Sequence, residues 1–184
     1  MKFNFNMRFL RTCFLSLFVI ILAVQCAHDP KAHIKELEKQ MSAENFKFDE
    51  NGMKVAHDLI QAYVDYAEKN KNSEEAPAYL FDAANMAMNV NQADKALELF
   101  NRIIYQYPDY KKTPDCLFLL AYIYENNLQN FGKAKEIYED FLAKYPTHDF
   151  ADDARISIDN MGKPLDELVK EFEAKNQQQQ PQQQ

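Results

Sequence analysis

Four histidines, three cysteines and many carboxylates are the side chains here that could do chemistry. A helical zinc site of the protease kind needs His-Glu-x-x-His, because imidazoles one turn apart hold the ion while the glutamate acts as base. His28, His33, His57 and His148 fall in no such pattern, and no Cys-x-x-Cys occurs. Cys116 has no histidine nearby in sequence to draw off its proton, so it reads as a small packed hydrophobe. Gly52, Gly132 and Gly162 are too dispersed to build a phosphate-cradling loop. Asp152 and Asp153 are adjacent carboxylates, but neighbouring residues of a helix point in different directions. At the start of a helix they favour the dipole instead. No catalytic residue, metal or cofactor is expected, and the chain reads as a non-enzyme.

Cys26 differs from the other cysteines in its setting. Residues 1–11 carry Lys2, Arg8 and Arg11 and no acid, and Cys13 to Val24 is almost wholly apolar. A basic stretch followed by a short apolar one is the layout of a secretory signal. The apolar run falls short of the ~20 residues that span a bilayer. Leu22-Ala23-Val24-Gln25-Cys26 resembles the signal of a bacterial lipoprotein, although Gln25 stands where that family has Gly, Ala or Ser. The resemblance implies that residues 1–25 are removed and that Cys26 becomes a lipidated N terminus. Several acyl chains would then make the anchoring stable, since one alone is marginal. An uncleaved anchor and a free product of ordinary signal cleavage are the alternatives.

Without residues 1–25 the chain keeps 18 basic and 28 acidic side chains, a formal charge of −10. Such a chain repels phosphate backbones, which disfavours a nucleic-acid partner. Cys116 is then the lone interior thiol, so no disulfide framework is available and packed helices must supply the stability.

Helical periodicity runs through most of the remainder. Residues 26–48 are polar, with Ile34, Leu37 and Met41 scattered among charges, and read as a short helix near 31–43 and then a linker. Residues 176–184, NQQQQPQQQ, have nothing to bury and read as a disordered tail. Between them, residues 49–175, lies an internal repeat. Ala96 matches Ala134, Phe100 matches Tyr138, Tyr107 matches Tyr145 and Pro108 matches Pro146, each pair 38 positions apart. Each unit reads as two helices. Leu80, Ala83, Ala84 and Ala87 face Ala96, Phe100 and Ile103 in the first; Leu117, Leu120, Ala121 and Tyr124 face Ala134, Tyr138 and Phe141 in the second. Leu59, Tyr63 and Tyr66 look like the second helix of an earlier unit. Residues 149–161 look like another first helix, and Leu165, Leu168, Val169 and Phe172 mark a closing helix over 164–173 that should cap the stack.

These positions resemble the tetratricopeptide repeat (TPR), with small residues where the paired helices approach and a proline ending the second. The match covers roughly residues 50–174 and is clearest over 78–108 and 115–146. It implies an all-α fold, a TPR-type α-α superhelical solenoid with flanking capping helices. Together with the export signal, the Tyr-Pro ending is similar to the BamD-like and YbgF-like envelope lipoproteins. That resemblance implies a scaffold or adaptor in the cell envelope, on the periplasmic side of the outer membrane, with other envelope proteins or peptides as partners. It also implies that the first helix of each unit lines a concave groove. Carried over, the groove positions are Ala78, Phe81, Asn85, Met88 and Asn89, then Asp115, Phe118, Tyr122, Glu125 and Asn126. Aromatic and Met side chains offer contact area and Asn offers hydrogen bonds to a peptide backbone. Packing of Phe81, Phe118 and Tyr122 against flanking helices is the competing expectation. Phe81 stands where the lysine of a carboxylate-clamping groove would be. A periplasmic ligand-binding or enzyme-like helical domain is the alternative function; its missing feature is a polar constellation.

Overall fold

The computed structural model describes residues 29–179, and among them are eight α-helices and no strand. They are α1 (Pro30–Met41), α2 (Glu50–Lys69), α3 (Ala76–Asn89), α4 (Ala93–Gln106), α5 (Thr113–Asn126), α6 (Phe131–Lys144), α7 (Ala151–Asn160) and α8 (Leu165–Gln179). Each helix from α1 to α6 packs on the next in sequence. This nearest-neighbour chain of helix pairs is the solenoid that the internal repeat predicts. The expected signal segment 1–25 and Cys26 lie outside the described residues.

The two clear units repeat in backbone as well as in sequence. Helices α3 to α6 are each 14 residues long. α4 ends at Tyr107 with φ −133° and ψ 59°, and α6 ends at Tyr145 with φ −133° and ψ 58°. The proline that follows each tyrosine forces this non-helical exit, because its ring clashes with a helical residue before it. The turns inside the units also correspond: Asn91 (φ 58°) and Gln129 (φ 50°) both take the left-handed conformation. Ala96 and Ala134 are fully buried, which lets paired helices approach, and Phe100 and Tyr138 fill the space beside them.

α3 is buried at Leu80, Phe81, Ala83, Ala84 and Ala87, a stripe wider than one partner needs. It packs on both α2 and α4, as an interior helix of a solenoid must. The same layering sets α2 and α4 side by side. Arg102 bonds Glu68 at 2.6 Å, and the Tyr107 hydroxyl donates to the Lys71 carbonyl at 2.9 Å.

Both ends differ from the sequence expectation. The folded body begins at Pro30 rather than at residue 49. Ile34 and Leu37 of α1 are buried against α2, and the Tyr63 hydroxyl donates to Glu38 at 2.8 Å. Lys31 reaches Glu75 at 2.8 Å, and the Tyr66 hydroxyl donates to the same carboxylate at 2.6 Å. Ile34 and Leu37 supply the apolar contact of this helix, and tyrosine-to-carboxylate bonds add to it. At the other end α8 does not cap. Leu165 and Val169 stay 76% and 46% exposed. Gly162, at φ +74°, swings the chain away after α7, and Lys163 ties back to Glu171 at 2.8 Å. The helix also continues to Gln179, past the expected end at Glu173 and four residues into the stretch expected to be disordered. Glutamine is a good helix former and prolongs a helix already begun.

Candidate functional site

Helices α3, α5 and α7 are the first helices of their pairs, and their outer face is the candidate groove. Tyr122 on α5 is 41% exposed, and Asn89 and Asn126 are exposed. The Asn126 amide donates to the Tyr122 carbonyl one turn back at 3.1 Å, which leaves its own oxygen free to accept. Ala78, Asn85 and Met88 are half-buried, as are Asp115 and Glu125.

Phe81 and Phe118 are elsewhere: both are in the core, 7% and 8% exposed. The Phe81 ring meets Phe100 edge-on at 5.9 Å. Phe118 stacks on Phe150 at 4.6 Å and lies 5.4 Å from Tyr138 and 5.7 Å from Phe141. These two groove assignments are therefore corrected. The flank they occupy is covered by a neighbouring helix or turn, so their rings hold units together. Of the three aromatics placed in the groove, Tyr122 is the one that a partner can reach.

The polar residues of this face are mostly committed to the fold. The Asp115 carboxylate lies 3.1 Å from Nε2 of His148. The Phe150 N–H donates to Nδ1 of that ring at 3.2 Å, so the proton of a neutral imidazole sits on Nε2, facing Asp115. Glu125 accepts from the Tyr138 hydroxyl at 2.9 Å. Asp152 pairs with Arg155 at 2.7 Å in the first turn of α7, the helix-start role that its position suggested. Cys116 is fully buried, and burial pushes its thiol well above the usual range, so it stays protonated and unreactive. Among the described residues no three His, Cys, Asp or Glu side chains come together to hold a metal.

Two features escaped sequence reasoning. Asp82 on α3 is exposed, yet burial raises its carboxyl above the usual range, while Lys112 acts in the opposite direction. The Lys112 ammonium itself lies 4.3 Å from the centre of the Phe81 ring. That juxtaposition depends on the turn after Tyr107-Pro108 and leaves no trace in helical periodicity. The second feature is a cleft of about 800 Å³ between the turns at 71–77 and 106–111, walled by Pro77, Tyr107, Pro108 and Tyr110. Its signal was the Tyr-Pro doublet, which marked the turn but not the gap beside it.

The chain matches the tetratricopeptide repeat family over residues 78–110 and 115–148. No curated protein matches it. The matched spans begin inside α3 and α5 and end just past the two Tyr-Pro exits, so sequence repeat, backbone repeat and family match coincide. Residues 78–110 and 115–148 of this chain are thus similar to two tandem tetratricopeptide repeats.

Proposed function

We propose that this protein is a non-catalytic adaptor that holds a partner protein or peptide on the α3–α5–α7 face, while a lipid on Cys26 anchors it in the bacterial cell envelope. The observation that carries the adaptor reading is Tyr122. It is a large aromatic left 41% exposed on a helix whose other aromatic of that face, Phe118, is packed inside. Binding energy at protein interfaces concentrates in a few such residues. The anchor reading rests on the basic and apolar stretch that ends at Cys26. On this reading the chain is exported, loses residues 1–25 and faces the periplasm from the outer membrane, in the manner of the BamD-like and YbgF-like lipoproteins.

The two halves are tested separately. Cells fed a fatty-acid analogue should label the wild type and not Cys26→Ala, and the variant should leave the membrane fraction. Equal labelling and fractionation of both would defeat the anchor. For the adaptor, partners cross-linked in intact cells and captured with the wild type should be lost from Tyr122→Ala. Undiminished capture by a folded Tyr122→Ala protein would move the binding surface off this face.

A further inference from the structure

On the lipoprotein reading Cys26 carries the anchor, and Ala27, His28 and Asp29 alone separate it from the start of α1 at Pro30. Three chain steps of at most ~3.6 Å each keep Asp29 within ~11 Å of Cys26, whatever path the chain takes. The N-terminal end of α1 is then held at the membrane surface. Whatever lies beside that end is the side of the protein that meets the lipid.

Successive helices run in opposite directions, so their connections fall on two opposite edges of the stack. The turns 70–75, 107–112 and 145–150, which join one helix pair to the next, share an edge with the start of α1. Three contacts establish this. Lys31, in the first turn of α1, bonds Glu75 at 2.8 Å. The Tyr107 hydroxyl reaches the Lys71 carbonyl at 2.9 Å. His148 lies 3.1 Å from Asp115, in the first turn of α5. The turns inside the pairs lie on the other edge, ~20 Å away, since a helix of 14 residues rises 1.5 Å with each. That other edge shows Phe48 and Leu128 to solvent, but it is beyond the reach of Cys26.

The edge within reach suits a headgroup layer. Tyr107, Tyr110 and Tyr145 are half-buried in its turns, beside the exposed Pro108 and Pro146. Tyrosine fits the boundary of lipid and water, because its ring is apolar and its hydroxyl polar. Apart from the Lys31–Glu75 pair, the charges of the turns balance: Lys71, Lys111 and Lys112 against Glu74, Asp109 and Asp149. The acid excess of the whole chain therefore raises no net repulsion at this edge. The outer face of α1 is also within reach, but it offers Lys35, Glu36 and Lys39 and no tyrosine or phenylalanine.

Building on the anchor reading, we propose that the edge formed by turns 70–75, 107–112 and 145–150 rests on the lipid headgroups of the membrane that holds Cys26. The α3–α5–α7 face then stands upright from the bilayer. Tyr122 lies ~14 Å along α5 from that edge, and Asn89 and Asn126 end their helices at the far rim. A partner reaches this face from the aqueous side.

The test uses the full lipidated chain in vesicles of phosphatidylethanolamine and phosphatidylglycerol, a fraction of whose headgroups carry a nitroxide quencher. A thiol-reactive fluorophore is placed singly at Lys111→Cys, Lys35→Cys or Lys47→Cys, all exposed positions. Cys116 is buried and the lipid caps Cys26, so the added thiol is the one that reacts. Quenching at position 111 should exceed that at 47 several-fold, with 35 between them. Stronger quenching at 35 and 47 than at 111 would mean that the protein stands on its α1 end, and would overturn the proposal. So would equal quenching at all three positions, the result for a body that tumbles on its tether. In both cases flotation of the protein with the vesicles leaves the anchor reading intact. A chain that does not float, and whose Cys26 takes up the fluorophore without an added cysteine, carries no lipid; the anchor reading then fails, and this inference with it.

Discussion

The Tyr138 hydroxyl donates to the Glu125 carboxylate at 2.9 Å, while the Tyr138 ring is fully buried between α5 and α6. The equivalent position of the preceding unit is Phe100, also fully buried, without a hydroxyl. The two residues fill the same place between paired helices, and the second adds a polar link to the end of α5. Burial pushes the phenol above its usual range, and the ionised carboxylate beside it acts in the same direction.

Tyr138→Ala should cost ~3–5 kcal/mol, the scale for deleting a buried aromatic ring. Tyr138→Phe keeps the ring and should cost about 1 kcal/mol, the worth of one hydrogen bond. Lys144→Ala removes only an exposed pair with Asp140 on the same helix and should cost at most ~0.5 kcal/mol. Urea midpoints give this order directly; coincident midpoints for Tyr138→Ala and Lys144→Ala would refute the repeat register.

Phe118 and Tyr122 lie one turn apart on α5 and should respond in opposite ways. Phe118→Ala removes a ring in contact with three others and should lower stability by ~3–5 kcal/mol. Tyr122→Ala should leave the unfolding midpoint within about 0.5 kcal/mol of wild type. It should weaken partner capture by at least ~2 kcal/mol, roughly thirtyfold. Thermal melts paired with capture assays separate the two; a Tyr122→Ala protein that melts like Phe118→Ala would make Tyr122 a core residue.

Gly52 is buried in the first turn of α2, where Asp49 caps its N–H at 3.0 Å. A Cβ there would collide with the Lys47 carbonyl oxygen and crowd the Phe46 ring. The obstacle is backbone, which cannot swing aside as a side chain can. Gly52→Ala should therefore destabilise by about 1–3 kcal/mol despite the better helix propensity of alanine. A chemical-denaturation curve shifted towards greater stability would show that the 46–49 turn yields easily.

The docking of α1 should weaken in acid. The bonds from Lys31 and then from Tyr66 hold the Glu75 carboxyl below its ordinary value of 4.5. A carboxylate depressed in the folded state contributes stability above the unfolded value, and loses it as pH falls through the folded one. The protection of the Ile34 and Leu37 amides against hydrogen exchange, taken relative to the intrinsic rate at each pH, should therefore fall below about pH 4.5. Glu75→Gln should be less protected at neutral pH and lose less protection in that window. The same acid response in wild type and variant would assign it to other carboxylates.

Helix pairs, their period and their inner positions were legible in the sequence itself. Ala96 and Ala134, Phe100 and Tyr138, and the two Tyr-Pro exits declare themselves because a short range of chain determines them. A helix buries the stripe its own spacing presents, and a proline ends it whatever lies nearby. What only the tertiary structure decided concerns the flanks. Phe81 and Phe118 were equally compatible with groove and core, since one helix's periodicity cannot say whether the next unit covers its side. The short helix near 31–43 was legible, but its grip on the rest was not, because it depends on Glu38 meeting Tyr63 and on Lys31 meeting Glu75, residues far apart in sequence. α8 has the apolar stripe of a cap, but Gly162 turns it away. Lys112 meets Phe81 only because the turn after Pro108 carries it back to α3. Local periodicity records how strongly each helix wants a neighbour; which neighbour it finds depends on turn geometry and on contacts between residues distant along the chain.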